Sequence, residues 1–250
     1  MTKAQTLLPP IVIASGIFLT ILSGFYISSF LAILGITISF WGAILYYIKP
    51  TKYVPISFIT AINTSNMDNL NRLFTELKYT QKSIYLPPNK LSDPESSIIF
   101  IPQTTNKIIL TNNETTNTLF TTKKDGMLLT PPGYGLIKIM EQKLGSSFTK
   151  MDLIALQKQL PHLLIEELGI AENISIQVEN NQLTIEITGS IFTTECNQAQ
   201  KYPQIHGSIG CILTSALACA LSKVTGKPVT INAEETIGKT TKITYHFLEE

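Results

Sequence analysis

The stretch LLPPIVIASGIFLTILSGF at residues 7–25, followed by ISSFLAILGITISFWGAILYYI at residues 27–48, decides the architecture of this chain. From Ala4 to Ile48 the sequence contains no Asp, Glu, Lys, Arg or His. An α-helix needs about 20 apolar residues to cross a hydrocarbon core about 30 Å thick. The two runs therefore predict a transmembrane helical hairpin within residues 1–50, with the lipid bilayer as its surroundings.

Small residues recur at every fourth position of both runs. They are Gly16, Thr20 and Gly24 in the first run, and Gly35, Ser39 and Ala43 in the second. Such stripes allow helix backbones to approach closely. One use is to pack the two helices against each other, and the other is to bind a second copy of the chain or a membrane-protein partner. No ionisable residue lies inside either run, which argues against an ion or proton pathway.

The charges that flank the hairpin predict its orientation. Lys3 precedes the first run, Lys49 and Lys52 follow the second, and the connecting loop carries no charge. Lys and Arg near membrane-spanning segments favour the cytoplasmic side. We therefore expect a two-span protein of the cell membrane with both termini in the cytoplasm. Residues 51–250 then form a soluble cytoplasmic domain.

The net charge and the cysteine content of the chain limit the functions that the domain can have. The net charge is +1 and only 15% of the residues are charged, so the chain lacks the basic surface of a nucleic-acid-binding protein. Cys196, Cys211 and Cys219 form an odd set confined to the last quarter of the chain. This pattern does not indicate a disulfide framework, and it favours free, buried thiols in a reducing compartment.

The pattern of apolar residues after position 51 predicts an α+β fold. Alternation at 174–178 and 183–187, around Asn180, predicts a β-hairpin, and segments 229–232 and 242–248 predict two further strands. Helical patterns are present without a regular βαβ alternation, so the sheet should be mixed and mostly antiparallel.

A third apolar stretch, GSIGCILTSALACALS at residues 207–222, has no charge and is rich in small residues. It resembles a membrane span in hydropathy. However, it is short, it contains several hydroxyl groups, and His206 stands directly before it. We therefore predict a helix buried in the soluble domain, where small residues permit close packing.

The expected start of this helix supplies the candidate ligand-binding residues. Backbone N–H groups at a helix N-terminus can bind an anion or a polar group. The residues that would do so are His206, Gly207, Ser208, Gly210 and Cys211. The glycines would serve equally well to pack the helix against a sheet.

No recognisable catalytic motif is present, such as a nucleotide-binding glycine loop, H-E-x-x-H, C-x-x-C or G-x-S-x-G. Cys196, His206 and Cys211 have side chains that suit zinc, but they lack the paired spacing typical of zinc sites. The sequence thus predicts no catalytic residue, no metal and no cofactor. Glu234 and Glu235 are interpreted as solvated carboxylates in a turn.

Three functions remain open on these grounds. The first is a non-enzymatic, membrane-tethered cytoplasmic domain that binds a partner protein or a small hydrophobic ligand. The second is an accessory subunit of a membrane complex. The third is an enzyme with a site around Cys196, His206 and Cys211.

Two segments of the sequence resemble segments of known proteins. LLTPPGYGL at residues 128–136 and SIGCILTSALACALSKVTGKPV at residues 208–229 resemble uncharacterised archaeal membrane proteins with N-terminal membrane spans and a cytoplasmic α+β domain. This resemblance implies no activity. The C-terminal order of helix, Thr-Gly-Lys-Pro-Val, strand and strand is also similar to small-molecule-binding domains of the 4-vinyl reductase type, which are related to the Bet3-like trafficking fold. The cysteine of that family's final strand is missing from Tyr245-His246-Phe247.

Overall fold

In the computed structural model, residues 3–47, 56–103, 120–121 and 126–249 are described. The chain divides into two units, residues 1–56 and residues 57–250. The helices are α1 (Lys3–Tyr26), α2 (Ser29–Tyr47), α3 (Ile56–Glu76), α4 (Tyr134–Leu144), α5 (Leu153–His162), α6 (Thr193–Ala199), α7 (Pro203–Ile209) and α8 (Ile212–Thr225). The strands are β1 (Ile84–Tyr85), β2 (Ile99–Pro102), β3 (Phe120–Thr121), β4 (Gly126–Leu129), β5 (Asn173–Glu179), β6 (Gln182–Thr188), β7 (Val229–Ile237) and β8 (Thr240–Phe247).

The first unit is the predicted pair of apolar helices. Windows at Pro9–Tyr26 and Ser29–Tyr47 have mean hydropathies of 1.6 and 1.8, and only 11% of each window is buried within the protein. Both helices are long and apolar enough to cross a membrane. Their large side chains face outward because two helices alone cannot enclose them.

The two helices pack through their glycines. A Cβ atom on Gly16 would lie 2.5 Å from the backbone nitrogen of Ser39, and one on Gly35 would lie 2.7 Å from the backbone nitrogen of Thr20. A larger residue at either glycine would therefore force the helices apart. Within the hairpin, Gly16, Thr20, Gly35 and Ser39 of the small-residue stripes thus pack α1 against α2.

The second unit contains an eight-stranded sheet in which every pairing is antiparallel. The strand order is β3-β4-β2-β1-β7-β8-β6-β5. The predicted hairpin is present, with Ile176 opposite Ile185, and Asn180 adopts a positive φ of 48° in its turn. The expected α+β class, with its antiparallel sheet and buried small-residue helix, is confirmed.

That buried helix is α8. The segment Pro203–Thr225 has a mean hydropathy of 1.6, equal to that of the Pro9–Tyr26 window, yet 83% of it is buried in the protein. Its small residues allow neighbouring backbone to come close: the Gly133 N–H donates to Ser215 Oγ at 3.1 Å, and a Cβ atom on Gly133 would clash with Ala216. The third apolar stretch accordingly belongs to the core of the domain.

Truncation of a core residue tests this placement of α8. Leu217 is fully buried, so Leu217→Ala should lower the free energy of unfolding by about 2–5 kcal/mol, because it removes apolar contacts and leaves a cavity. Chemical denaturation of the full chain in detergent measures the change. The exposed Ile154 of α5 provides the matched control, since Ile154→Ala should change stability by less than about 0.5 kcal/mol. Equal effects of the two substitutions would contradict a core position for α8.

Candidate functional site

The junction between α7 and α8 replaces the single helix expected at 207–222. Gly210 has φ 68° and ψ −175°, a conformation that is essentially restricted to glycine, and it ends α7. A Cβ atom on Gly210 would also lie 2.7 Å from Ile231 Cδ1. The α8 helix then begins at Ile212 with Cys211 as its N-cap residue. The prediction that Gly207 to Gly210 open the long helix is therefore wrong.

The fold itself uses the polar groups of Ser208. Its hydroxyl donates to the Gln81 carbonyl at 2.7 Å, and its carbonyl accepts from both the backbone N–H and the hydroxyl of Ser83. Gly207 lies inside α7, where a Cβ atom would meet no other atom within 4 Å. These two candidate residues thus belong to a helix that is tied to the start of β1, and ligand binding by them stays a prediction.

Two buried tyrosines fix the junction. The Tyr85 hydroxyl donates to the Ile209 carbonyl at 2.7 Å, and the Tyr245 hydroxyl donates to the Thr214 carbonyl at 3.0 Å. Burial raises the pKa of both phenol groups well above the ordinary value. Both therefore remain neutral hydrogen-bond donors that hold the end of α7 and the start of α8 against the sheet.

The junction brings two cysteines together. Cys211 forms a disulfide with Cys196 of α6, and their Cα atoms are 5.1 Å apart. Both residues are almost fully buried, at 3% exposed for Cys196 and 1% for Cys211. The expectation of free thiols is therefore wrong for this pair, whereas Cys219 is free and buried as expected. Spacing alone could not reveal the pairing, because the junction conformation places Cys211 beside α6.

A β-bulge in β7 turns the Glu234 side chain toward the Cys196–Cys211 disulfide. Ile231 lies opposite Tyr245, but Ala233 lies opposite Thr244, so Asn232 is an extra residue in β7. After the bulge Glu234 lies opposite Ile243, which points into the core. Without the extra residue, Glu234 would face outward beside Lys242, because a one-residue shift exchanges the two faces of a strand.

The interpretation of Glu234 as a solvated turn residue is therefore wrong. Its side chain is only 2% exposed and it lies within β7. The neighbouring Glu235 is exposed, as expected for the opposite face of the strand.

We call Cys196, His206, Cys211 and Glu234 the sulfur–carboxylate cluster. The two sulfur atoms and a carboxylate oxygen of Glu234 all lie within 4.8 Å of one another. His206 Nε2 lies 3.2 Å from Glu234 Oε1, and the His206 side chain is 14% exposed. The cluster thus joins α6, α7, the α7–α8 junction and β7. The structure brings Cys196 and Cys211 together, as one sequence hypothesis required, and adds a carboxylate that the sequence did not indicate.

Several buried polar atoms of this cluster lack hydrogen-bond partners among the described residues. Among the described residues, His206 Nε2 and both carboxylate oxygens of Glu234 are buried without a hydrogen bond. His206 and Glu234 are close enough for an ion pair, but their relative orientation does not meet the angular requirements of a hydrogen bond. Burial of a carboxylate is unfavourable unless a cation or several donors compensate for lost water. The hydrogen bonds of the cluster therefore do not compensate for the lost hydration of the Glu234 carboxylate.

The alkylation rate of Cys219 tests whether its thiol is buried. Burial raises the pKa of its thiol from 9.0 to about 12, which reduces the reactive thiolate at pH 8 by about a thousandfold. In a Cys196→Ser, Cys211→Ser variant, Cys219 is the remaining thiol. Its alkylation by iodoacetamide should be at least about a thousandfold slower in the folded chain than in denaturant. Mass spectrometry measures both rates, and similar rates would show that Cys219 is accessible.

Comparison with known protein families gives a match that covers most of the chain. A family model described as a domain of unknown function, DUF7982, matches residues 19–247, which include part of α1, all of α2 and the elements of the sulfur–carboxylate cluster. No curated protein and no solved structure matches the chain significantly. Because the family model covers most of its length, this chain belongs to the DUF7982 family.

Proposed function

We propose that this protein is a membrane-tethered binding protein of the cell membrane. The α1–α2 hairpin spans the bilayer twice, and the α+β domain works at the cytoplasmic face by binding a partner protein or a small ligand. The observation that carries the proposal is the pair of long apolar helices, each only 11% buried within the protein.

The exposed surface of the hairpin supports a lipid environment. Its outward-facing side chains include Phe18, Phe30, Phe40 and Trp41, all largely exposed. Soluble proteins rarely leave contiguous apolar patches larger than a few hundred Å² in water. Lipid chains remove this unfavourable contact with water, and no ionisable side chain between Ala4 and Ile48 opposes insertion.

The orientation follows from the flanking lysines. Lys3 lies before the first span, and Lys49 and Lys52 lie after the second. The positive-inside preference supports cytoplasmic positions for both ends, and thus for the α+β domain.

Burial of the sulfur–carboxylate cluster favours binding over catalysis. Reactive cysteines in enzymes are partially exposed, whereas Cys196 and Cys211 are almost fully enclosed.

Association within the membrane remains a separate prediction. Gly35 and Ser39 contact α1, while Ala43 is exposed. A second copy of the chain or a membrane-protein partner would therefore meet only part of the stripe formed by Gly35, Ser39 and Ala43.

Membrane fractionation tests the tether. The full chain should sediment with membranes and resist extraction by alkaline carbonate, because two spans bury their apolar surface in lipid. A variant that lacks residues 1–55 should appear in the supernatant and serves as the control. Release of the full chain by carbonate would show that the hairpin does not span the bilayer.

Reporter fusions test the orientation. A fluorescent protein that matures in the cytoplasm, joined after Glu250, should be bright, and alkaline phosphatase joined at the same position should be inactive, because the positive flanks hold this end inside. The same reporters joined after Ser28, between the helices, should show the reverse pattern. Phosphatase activity after Glu250 would contradict the orientation.

A further inference from the structure

We propose that the reduced sulfur–carboxylate cluster is a zinc site. Cys196, Cys211 and Glu234 are the ligands, and His206 positions the Glu234 carboxylate. This inference goes beyond membrane tethering, and neither proposal depends on the other.

The donor set suits zinc. Two thiolates and one carboxylate form a borderline-soft set of the kind that binds Zn²⁺. Three protein ligands leave one position of a tetrahedral ion for water. The three residues come from separate elements, α6, the α7–α8 junction and β7, so the site is assembled by the tertiary structure.

The geometry is close to what a zinc ion requires. With Zn–S distances of about 2.3 Å and Zn–O distances of about 2.0 Å, tetrahedral ligand atoms are separated by roughly 3.5–3.8 Å. The three ligand atoms of the cluster already lie within 4.8 Å of one another. The main change on binding is the separation of the two sulfur atoms, which side-chain rotation at Cys196 and Cys211 provides.

The negative charge of the reduced cluster would be compensated by a bound cation. The Glu234 side chain is 2% exposed, and its two carboxylate oxygens make no hydrogen bond among the described residues. Its closest ionisable contact is His206 Nε2, at 3.2 Å. A divalent cation would compensate for the buried carboxylate and for the thiolates formed on reduction. The bulge at Asn232, which turns Glu234 inward, thus gains a function.

The described structure is the oxidised state of this site. Its S–S bond is cleaved when an external dithiol donates two electrons and two protons, and the dithiol itself becomes a disulfide. The two resulting thiols lose their protons to solvent as Zn²⁺ binds. Oxidation therefore excludes the metal, and reduction admits it.

His206 acts as a positioning residue. A side chain that contacts a ligating carboxylate fixes its orientation, and loss of such a contact typically weakens metal affinity about 10–100-fold. His206→Ala should therefore lower the affinity and keep one metal per chain. His206→Gln, whose side-chain amide can contact the Glu234 carboxylate as a hydrogen-bond donor, should recover part of that loss.

The experiment uses the full chain purified in detergent. The protein is reduced with a dithiol, freed of it without oxygen, incubated with Zn²⁺ alone and desalted. Elemental analysis should find about one zinc per reduced chain, and none per oxidised chain. Replacement of zinc by Co²⁺ should give a thiolate-to-cobalt charge-transfer band and the visible bands of a tetrahedral site.

Matched variants separate the site from general folding. Cys211→Ser should abolish zinc binding, whereas Cys219→Ser, which removes a buried thiol outside the cluster, should retain it. Glu234→Gln should weaken binding at least tenfold, and the exposed Glu235→Gln should have no effect. Circular dichroism confirms the fold of each variant. Should Cys211→Ser fail to fold, the cobalt spectra and affinities of the two glutamate variants decide the question.

Three results would overturn the proposal. The first is a folded, reduced chain that retains no zinc. The second is equal zinc content in the oxidised and reduced chains. The third is equal affinity in the Glu234→Gln and Glu235→Gln variants.

Discussion

The close packing of α8 against its neighbours is the constraint on which the α+β domain depends. Small side chains along this helix let the backbone at Gly133 approach Ser215 and Ala216. Two buried tyrosine hydroxyls then fix the start of α8 and the end of α7. A larger residue at Gly210 would need a forbidden backbone conformation and would collide with Ile231, so the junction has little freedom to move.

The sulfur–carboxylate cluster is a direct consequence of this constraint. The fixed junction places Cys211 beside Cys196, and one additional residue in β7 turns Glu234 from the outer face of the sheet to the inner face. The buried carboxylate costs free energy unless a cation or several donors compensate for its lost hydration. The meeting of the two sulfur atoms with a buried carboxylate is the physical ground for the proposed zinc site.

Segments of similar apolar composition differ in how much of their surface is buried within this protein. The segments in α1 and α2 and the segment 203–225 have similar mean hydropathies, yet 11% of each of the first two is buried in the protein against 83% of the third. The difference lies in the partners available. The hairpin helices pack against each other and leave most of their apolar surface exposed, whereas α8 is covered by the sheet and by helices of its own unit.

The apolar hairpin, the α+β class, the β5–β6 hairpin and the burial of α8 could all be predicted from the sequence, because hydrophobic periodicity and the absence of charge are local signals. The side chains of Cys196, His206 and Cys211 were recognised as suited to zinc, but their spacing predicted no metal site. Three features became visible only in the folded chain: the two cysteines pair, Gly210 divides one apolar segment into two helices, and Glu234 faces inward. These features depend on a positive φ, a bulge and contacts between residues far apart in the chain, and the pattern of residue types along the sequence does not encode them in a readable way.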